Sequence, residues 1–288
     1  MIFESGLAAS SISWTFVQPA VAQFTRTCSY DRAGLGFSPL AQAPRTLENI
    51  SAELREMLQH AAVPPPYVLV GHSYGAMIVR HFAHIHPADV GGLVFVDPVC
   101  TTHWCNITEE RRRSLARGVM LSRRGAWLAK LGVVRFSSAL LMSGSRRIPK
   151  LIAKASSGRA SGVADRLVGE IRKLPKETWP LLSRQWSQPK CFEAMAEYLR
   201  YLPANAEEAS ALNRLDRFPL AVLSSAAASP EELREHQSLA ALSPNGKHRI
   251  ADGAGHWIPL DRPDLVVEAV RWVVSEVRGT APDKSLNR

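Results

Sequence analysis

The sequence contains little of what stabilises secreted scaffolds, metal proteins or membrane proteins. Its 288 residues include four cysteines, which are too few for a disulfide scaffold, so free thiols are expected. The string CTTHWC at 100–105 offers too few ligands for a structural zinc site. No uncharged apolar run approaches the ~18 residues of a membrane-spanning helix, and the first ten residues lack the basic and apolar segments of a signal peptide. These absences predict a cytoplasmic protein without a metal or an organic cofactor.

Strand-like and helix-like stretches alternate up to residue 98 and again after residue 214. Strands are predicted at 1–5, 25–31, 67–71, 91–98 and 218–225, with a strand and loop at 248–257. Helices are predicted at 10–24, 46–61, 74–86, 230–242 and 262–277. Apolar strands separated by helices predict an α/β fold, with a mostly parallel sheet covered by helices on both faces. Residues 99–214 have almost no strand signal, so we expect an all-helical insertion there, within a core formed by 1–98 and 215–288.

The most informative stretch is YVLVGHSYGAM, residues 67–77, in which Ser73 stands between Gly71 and Gly75. A serine hydroxyl is a poor nucleophile unless a base removes its proton during attack. In a parallel sheet, the junction from strand to helix lies at the carboxyl edge where ligand sites form, and small neighbours permit a tight turn that exposes the serine. Such a string also arises by chance, but its position here predicts that Ser73 is a nucleophile.

The base should be a histidine on another loop at the same edge of the sheet. Of the nine histidines, His81 and His84 fall on the predicted helix after Ser73, and His72 occupies the variable position of the motif. His256 lies in a glycine-bearing loop, ADGAGHW, between the last strand and the last helix. It is therefore the predicted base, with a histidine that merely packs the loop as the alternative.

A third group must orient the imidazole and stabilise its charged form. The strand end at 220–232 has serine and alanine where an aspartate is needed, and Glu231 and Glu232 suit the start of a helix better. Asp97 directly follows the strand after the nucleophile's helix and gives the chain order Ser, Asp, His. We therefore predict Asp97 as the acid, with Glu231 as the next candidate and a loop-capping role for Asp97 as the alternative.

A tetrahedral intermediate needs two N–H donors for its oxyanion. The backbone N–H of Tyr74, the residue after the nucleophile, is the first predicted donor. The second should come from the loop after the first strand, where ESGLAASS places Gly6 and Leu7 at a sharp turn. We predict the N–H of Leu7.

These motifs together resemble the α/β-hydrolase fold superfamily, in the branch that carries a helical cap. The resemblance is carried by FESGLAASSISW, YDRAGLGFS, GHSYGAMIVRHFA, LVFVDP and GAGHWIPLDRPDLVVEAV. It covers residues 1–98 and about 215–278, and it implies a serine, histidine and acid triad with two backbone oxyanion donors. It also implies that 99–214 roof the active site, and that Asp31 and Arg32 belong to a turn that is structural more often than catalytic.

The chain departs from the family pattern in three places. Family members usually have two more strands before MIFES, so we expect that this chain lacks that edge hairpin or is truncated at its N-terminus. Glu4, Ser5 and Gly6 stand where many relatives have His-Gly. The usual acid after the later strand is missing, and some branches use the acid after the earlier strand instead, which supports Asp97.

The resemblance and the residues predict a serine hydrolase that cleaves a small-molecule carboxylic ester through an acyl-enzyme. The same machinery could act on amides, lactones or carbon–carbon bonds, or transfer the acyl group to an acceptor other than water. Ser73 in place of aspartate argues against epoxide hydrolase and dehalogenase chemistry. A non-catalytic binding protein of the same fold is a further alternative, against which the complete triad counts. The acyl and alcohol groups stay open, as does the oligomeric state, for which a dimer is one option.

The net charge of +9 is concentrated in one segment. Residues 99–214 contain 21 basic and 9 acidic residues, whereas the remainder contains 14 and 17. No aromatic platform or motif supports nucleic-acid binding, so none is expected. The stretch 111–136 mixes arginine with leucine, valine, methionine and Trp127, which suits peripheral contact with an anionic membrane or steering of an anionic substrate. A solvated arginine face over an apolar cap interior is the plainer interpretation, and the one we favour.

Overall fold

The structure, a computed structural model, describes residues 1–142 and 173–279. Within them, six parallel strands form one sheet. The strands are β1 (Ile2–Glu4), β2 (Cys28–Ser29), β3 (Tyr67–His72), β4 (Val90–Val96), β5 (Leu220–Ser225) and β6 (Gly246–Ala251). Their spatial order is β2-β1-β3-β4-β5-β6. Because all six run in the same direction, their carboxyl ends meet at one edge, which is where such sheets form ligand sites.

Helices connect the strands and fill the insertion. They are α1 (Gln18–Val21), α2 (Leu47–His60), α3 (Tyr74–Ile85), α4 (Thr102–Cys105), α5 (Glu109–Lys130), α6 (Val133–Met142), α7 (Trp179–Trp186), α8 (Pro189–Ala211), α9 (Pro230–Ala240), α10 (Ile258–Asp261) and α11 (Pro263–Arg278). Short 3-10 turns lie at Ser11–Trp14, Pro87–Asp89 and Lys176–Thr178. Local sequence sets several of the starts: Thr46 caps α2 through its side chain, and Ser229 and Glu232 form a reciprocal capping box at α9.

Both faces of the sheet are buried under helices. Successive residues of β3 alternate between two apolar clusters, with Val68 and Val70 in one and Tyr67 and Leu69 in the other. The first cluster is completed by α11, and the second by α2, α3 and α9. The predicted α/β fold, with a parallel sheet covered on both faces, is therefore confirmed.

The predicted helix over 10–24 is wrong in its extent. The chain instead forms the 3-10 turn at Ser11–Trp14 and the four-residue helix α1. The Ser13 hydroxyl donates a 2.8 Å hydrogen bond to the carbonyl of Ser10, and local side-chain bonds of this kind compete with helical backbone bonds. Pro19 has no N–H to donate to a longer helix. Two short turns therefore replace the expected long helix.

The predicted strand over 25–31 is also wrong in its extent, because only Cys28–Ser29 pair with the sheet. Their partner β1 is itself three residues long, so it offers few backbone groups to an edge strand. Apart from the strand and loop predicted at 248–257, whose strand β6 ends at Ala251, the remaining predicted strands and helices begin and end within two residues of the observed bounds. Long apolar or amphipathic stretches were therefore easier to place than short edge elements.

Helices occupy the region between β4 and β5 in the part of the chain that the structure describes. α5 packs along α8 so closely that a Cβ added at Gly125 would lie 2.4 Å from the Phe192 ring. α8 in turn packs on α3, where Ala194 and Tyr198 join a buried cluster with Tyr74. The division into a core of 1–98 and 215–288 and a cap of 99–214 stays a prediction, and residues 143–172 of that cap lie outside the described residues. No described helix combines the length and the apolar character needed to cross a membrane.

Candidate active site

Ser73 occupies a strained turn between β3 and α3. Its backbone has φ +53° and ψ −118°, a conformation that non-glycine residues rarely adopt and that costs on the order of 1–3 kcal/mol. A Cβ at Gly71 would lie 2.6 Å from the backbone of Ala76, and one at Gly75 would lie 2.4 Å from the carbonyl oxygen of Glu4. Positions 71 and 75, two residues on either side of the serine, must therefore be glycine, because backbone atoms approach them too closely for any side chain.

The His256 imidazole bridges Ser73 and Asp97. Its Nδ1 lies 2.7 Å from Oδ2 of Asp97, and its Nε2 lies 3.0 Å from Oγ of Ser73. A carboxylate can only accept, so Nδ1 carries the proton and Nε2 is left free to accept the serine hydroxyl. Three predicted residues that are far apart in the sequence thus come together at the carboxyl edge of the sheet.

Asp97 is buried immediately after β4 and is held by the backbone of the neighbouring strand. Its Oδ1 accepts from the N–H of Ser225 at 2.8 Å, and its own N–H donates to the carbonyl of Leu223 at 2.7 Å. The alternative acid, Glu231, lies elsewhere and contacts Nε2 of His103 at 3.1 Å. The geometry therefore pairs the histidine with Asp97 and leaves Glu231 at the start of α9.

His72 fixes the loop that carries His256. Burial lowers the pKa of His72 to about 3, and the neighbouring His256 contributes in the same direction. The ring is therefore neutral, and its Nε2–H donates to the backbone carbonyl of His256 at 2.8 Å. Its Nδ1 is buried and has no hydrogen-bond partner among the described residues. Sequence reasoning treated this histidine as the variable residue of the motif and missed its contact with the loop.

The loop after β1 passes beside the nucleophile. A Cβ added at Gly6 would lie 3.6 Å from Cβ of Ser73 and 3.2 Å from Nδ1 of His72. In the described part of the chain, the backbone N–H groups of Leu7 and Tyr74 make no hydrogen bond inside the protein. Two unpaired donors, one from this loop and one from the start of α3, are therefore present on segments next to Ser73.

The buried guanidinium of Arg32 holds the same loop from behind. It donates to the carboxylate of Glu4 and to the carbonyls of Ser5 and Gly6, and it reaches the carbonyl of Leu7 at 3.1 Å. In a trans peptide the C=O and the following N–H point in opposite directions. Because the Gly6 carbonyl faces Arg32, the Leu7 N–H is turned away from the guanidinium.

Glu4 and Arg32 form an ion pair in which both side chains are almost completely buried. Burial raises the pKa of Glu4, and the arginine beside it opposes that rise. Burial alone would lower the pKa of Arg32, but the carboxylate raises it above its ordinary value, so the guanidinium stays charged. Sequence reasoning gave Arg32 only a turn role. The missed signal was Glu4 itself, because a carboxylate at the end of an apolar strand needs a cationic partner.

A small apolar pocket of about 50 Å³ lies between the loop after β1 and the helices α7 and α8. Its lining includes Ala8, Leu35, Trp186, Phe192 and Met195. Ala8 directly follows Leu7, so the pocket begins next to the loop that passes Ser73. Among the described residues, no group of three or more His, Cys, Asp or Glu side chains could hold a metal ion.

Comparisons with known proteins agree with this fold. A family model described as the alpha/beta hydrolase family matches residues 1–269. Protein YqjL of Bacillus subtilis is 35% identical over 133 residues, which are 45% of this chain and 52% of that protein. The chain spans about half or less of the length of the curated relatives it matches.

Solved structures that resemble this chain over most of its length include an epoxide hydrolase and an esterase. The epoxide hydrolase CorEH has a TM-score of 0.64 and 15% identity, covering 96% of this chain and 91% of its own. A thermophilic esterase from Thermogutta terrifontis has a TM-score of 0.63 and 20% identity, covering 96% of this chain and 89% of its own. At such identities the likeness is one of fold alone.

Proposed function

The chain belongs to the alpha/beta hydrolase family, and from that premise we propose that it is a serine hydrolase that cleaves a carboxylic ester through an acyl-enzyme. The observation that carries the proposal is the His256 imidazole, which contacts Oγ of Ser73 at 3.0 Å and Oδ2 of Asp97 at 2.7 Å. Nucleophile, base and orienting acid are then Ser73, His256 and Asp97.

The proposed reaction begins when Oγ of Ser73 attacks the acyl carbon while Nε2 of His256 takes the hydroxyl proton. The tetrahedral intermediate collapses, the bond to the leaving oxygen breaks, and the imidazolium returns the proton to release an alcohol. Water then attacks the acyl-enzyme, again with His256 as the base, and the carboxylic acid leaves. Asp97 stabilises the imidazolium in both halves of the cycle without taking the proton itself.

The unpaired N–H groups of Leu7 and Tyr74 are the proposed oxyanion donors. Losing one such donor typically costs ~10² to 10³ in rate. Arg32 acts through the loop, because its bonds to three consecutive carbonyls fix the peptide that presents the Leu7 N–H. It is a positioning residue, and the Glu4 carboxylate keeps its charge compensated.

The apolar pocket beside Ala8 supports an ester with an apolar group on one side of the scissile bond. We further propose that residues 99–214 act as the cap, since α7 and α8 supply part of the lining. The likeness in fold to an epoxide hydrolase does not extend the proposal to epoxides, because that chemistry needs a carboxylate nucleophile and position 73 is serine.

Turnover of p-nitrophenyl esters of increasing acyl length, with the matching anilides and lactones, tests the proposal. Ser73→Ala should abolish turnover. Ser51→Ala is a matched control, because Ser51 also bonds a histidine, at 2.8 Å from Nδ1 of His81, but is completely buried. Ester turnover lost in Ser73→Ala and kept in Ser51→Ala is expected. A folded wild type that turns over none of these substrates would instead favour a non-catalytic binding protein.

A further inference from the structure

The most exposed large apolar side chains of the described chain lie close together on the basic insertion. Trp127 is 62% exposed, Phe136 is 59% exposed and Leu131 is 58% exposed. Single exposed apolar residues are normal on a soluble protein and need no explanation. Three within ten residues, at the end of α5 and the start of α6, indicate a surface that is suited to contact something apolar.

Trp127 lies on α5 and Leu131 directly follows it on the same helical face, whereas Phe136 lies on α6. With 3.6 residues per turn, positions three, four and seven apart lie above one another. We call this face the α5 stripe, and its members are Arg113, Arg117, Met120, Arg124, Trp127 and Leu131. The opposite face is buried at Ser122, Ala126 and Ala129, and its Gly125 meets Phe192 of α8. The stripe therefore faces away from the described parts of the chain that α5 packs on.

The positive charge of the stripe is mostly uncompensated. Residues 109–142 contain eight arginines and lysines but two acidic residues, Glu109 and Glu110, both in the first turn of α5. Arg113 pairs with Glu109 at 3.0 Å. Arg117 and Arg124 have no ion pair in the described parts of the chain, and both are exposed. Within the described residues, the stripe thus offers cationic groups without an acidic partner, interleaved with apolar ones.

We propose that the α5 stripe is a docking surface for an anionic lipid bilayer. A second copy of the chain that docked through the same stripe would place like charges against each other, so charge complementarity favours an anionic partner. Exposed tryptophan and leucine between the arginines favour a partner whose apolar interior lies just below its charged surface. A bilayer with acidic headgroups supplies both, with the helix axis parallel to its plane.

Vesicle sedimentation of the full chain tests the proposal, with Ser73→Ala as background so that binding is measured without any hydrolysis. The vesicles contain phosphatidylcholine alone or phosphatidylcholine with phosphatidylglycerol. A basic side chain near an anionic surface contributes about fivefold to partitioning. Arg117→Glu with Arg124→Glu should therefore weaken binding to the anionic vesicles by more than about 20-fold. Trp127→Ser should also weaken vesicle binding, both in the Ser73→Ala parent and in the double arginine variant.

Arg217→Glu with Arg234→Glu is the matched control, because both arginines are exposed outside the stripe and the change in net charge is identical. We expect this control to bind vesicles as well as the parent does. Both double variants should keep the melting temperature of the parent. Equal loss in the two double variants would overturn the proposal. The proposal would also be overturned if the folded parent did not bind anionic vesicles. It would likewise be overturned if the parent bound heparin as tightly as vesicles and Trp127→Ser left vesicle binding unchanged. None of these outcomes depends on whether Ser73 is a nucleophile.

Discussion

Arginine is used in opposite ways in the core and on the insertion. Arg32 is buried, and its guanidinium meets a carboxylate and three carbonyls of one loop. Arg117 and Arg124 are exposed on α5 and have no acidic partner within the described residues. A charge with fixed, buried partners can set the direction of an N–H group precisely, whereas a free surface charge can act only through its attraction to something outside the protein.

The same contrast holds for the other ionisable side chains of the two regions. His256 and Asp97 share a short hydrogen bond at the edge of the sheet, while His103 and Glu231 form a similar pair at the start of the insertion. In the second pair, no hydroxyl or thiol of the described residues forms a hydrogen bond with the His103 imidazole. The groups around a histidine–carboxylate pair, rather than the two residue types, therefore decide whether a catalytic role is expected. Matched substitutions in the two regions can test that conclusion.

The largest difference is expected between the two histidines. His256→Ala removes the base, so ester turnover should fall by about 10⁴-fold or more. His103→Ala should leave turnover within about twofold, because surface substitutions away from a site have small effects. Steady-state kinetics on the same p-nitrophenyl ester compares them directly. Comparable losses in both variants would mean that the proposed site is misplaced.

The two carboxylates should differ nearly as much. Asp97→Asn keeps the shape of the side chain but favours the wrong tautomer of His256, so kcat should fall by about 10³ to 10⁴. Glu231→Gln should change kcat little, since its carboxylate contacts His103 and not the proposed base. A large effect of Glu231→Gln combined with a mild effect of Asp97→Asn would transfer the acid role to Glu231.

The arginine comparison comes next in size. Arg32→Met should lower kcat by about 10² with little change in KM, because it loosens one oxyanion donor and leaves the substrate pocket intact. It also leaves Glu4 buried without its partner, which should cost about 3–5 kcal/mol of stability. Arg117→Met should change neither kcat nor the free energy of unfolding appreciably.

A double variant separates the role of Arg32 in stability from its role in positioning. Glu4→Gln combined with Arg32→Met removes the uncompensated buried charge, so part of the lost stability should return in denaturant unfolding. Turnover should stay low, because the loop carbonyls still lack their donor. Full recovery of kcat together with stability would show that Arg32 only stabilises the fold.

The sequence predicted the fold and the three central residues because each follows a local rule. Gly71, Ser73 and Gly75 mark a turn at a strand end, Asp97 stands directly after β4, and His256 lies in the loop that follows β6. Sequence reasoning missed contacts made across the sheet edge, such as His72 with the His256 carbonyl. It also misjudged the 10–24 segment, where hydroxyl bonds to the backbone and a proline override helical spacing.

A separate prediction concerns acid stability. The pKa of His72 is about 3 in the folded protein, below the ~6.5 of an exposed histidine, so the unfolded chain binds more protons between these values. Its contribution to stability is fully present above pH ~6.5 and is lost at about 1.4 kcal/mol per pH unit as pH falls toward 3. His72→Gln keeps an N–H donor for the His256 carbonyl but cannot titrate. Urea unfolding should therefore show a shallower pH dependence for His72→Gln than for wild type, and identical slopes would contradict a neutral buried His72.

The most direct test of the account is covalent labelling with a fluorophosphonate, followed by mass spectrometry of the intact protein and of its peptides. We expect one adduct per chain, on the peptide that contains Ser73. No adduct should form on Ser73→Ala, and labelling should be strongly slowed in His256→Ala and normal in His103→Ala. A folded wild type that stays unlabelled, or equal labelling of Ser73→Ala at another residue, would contradict the assignment of Ser73 as the nucleophile.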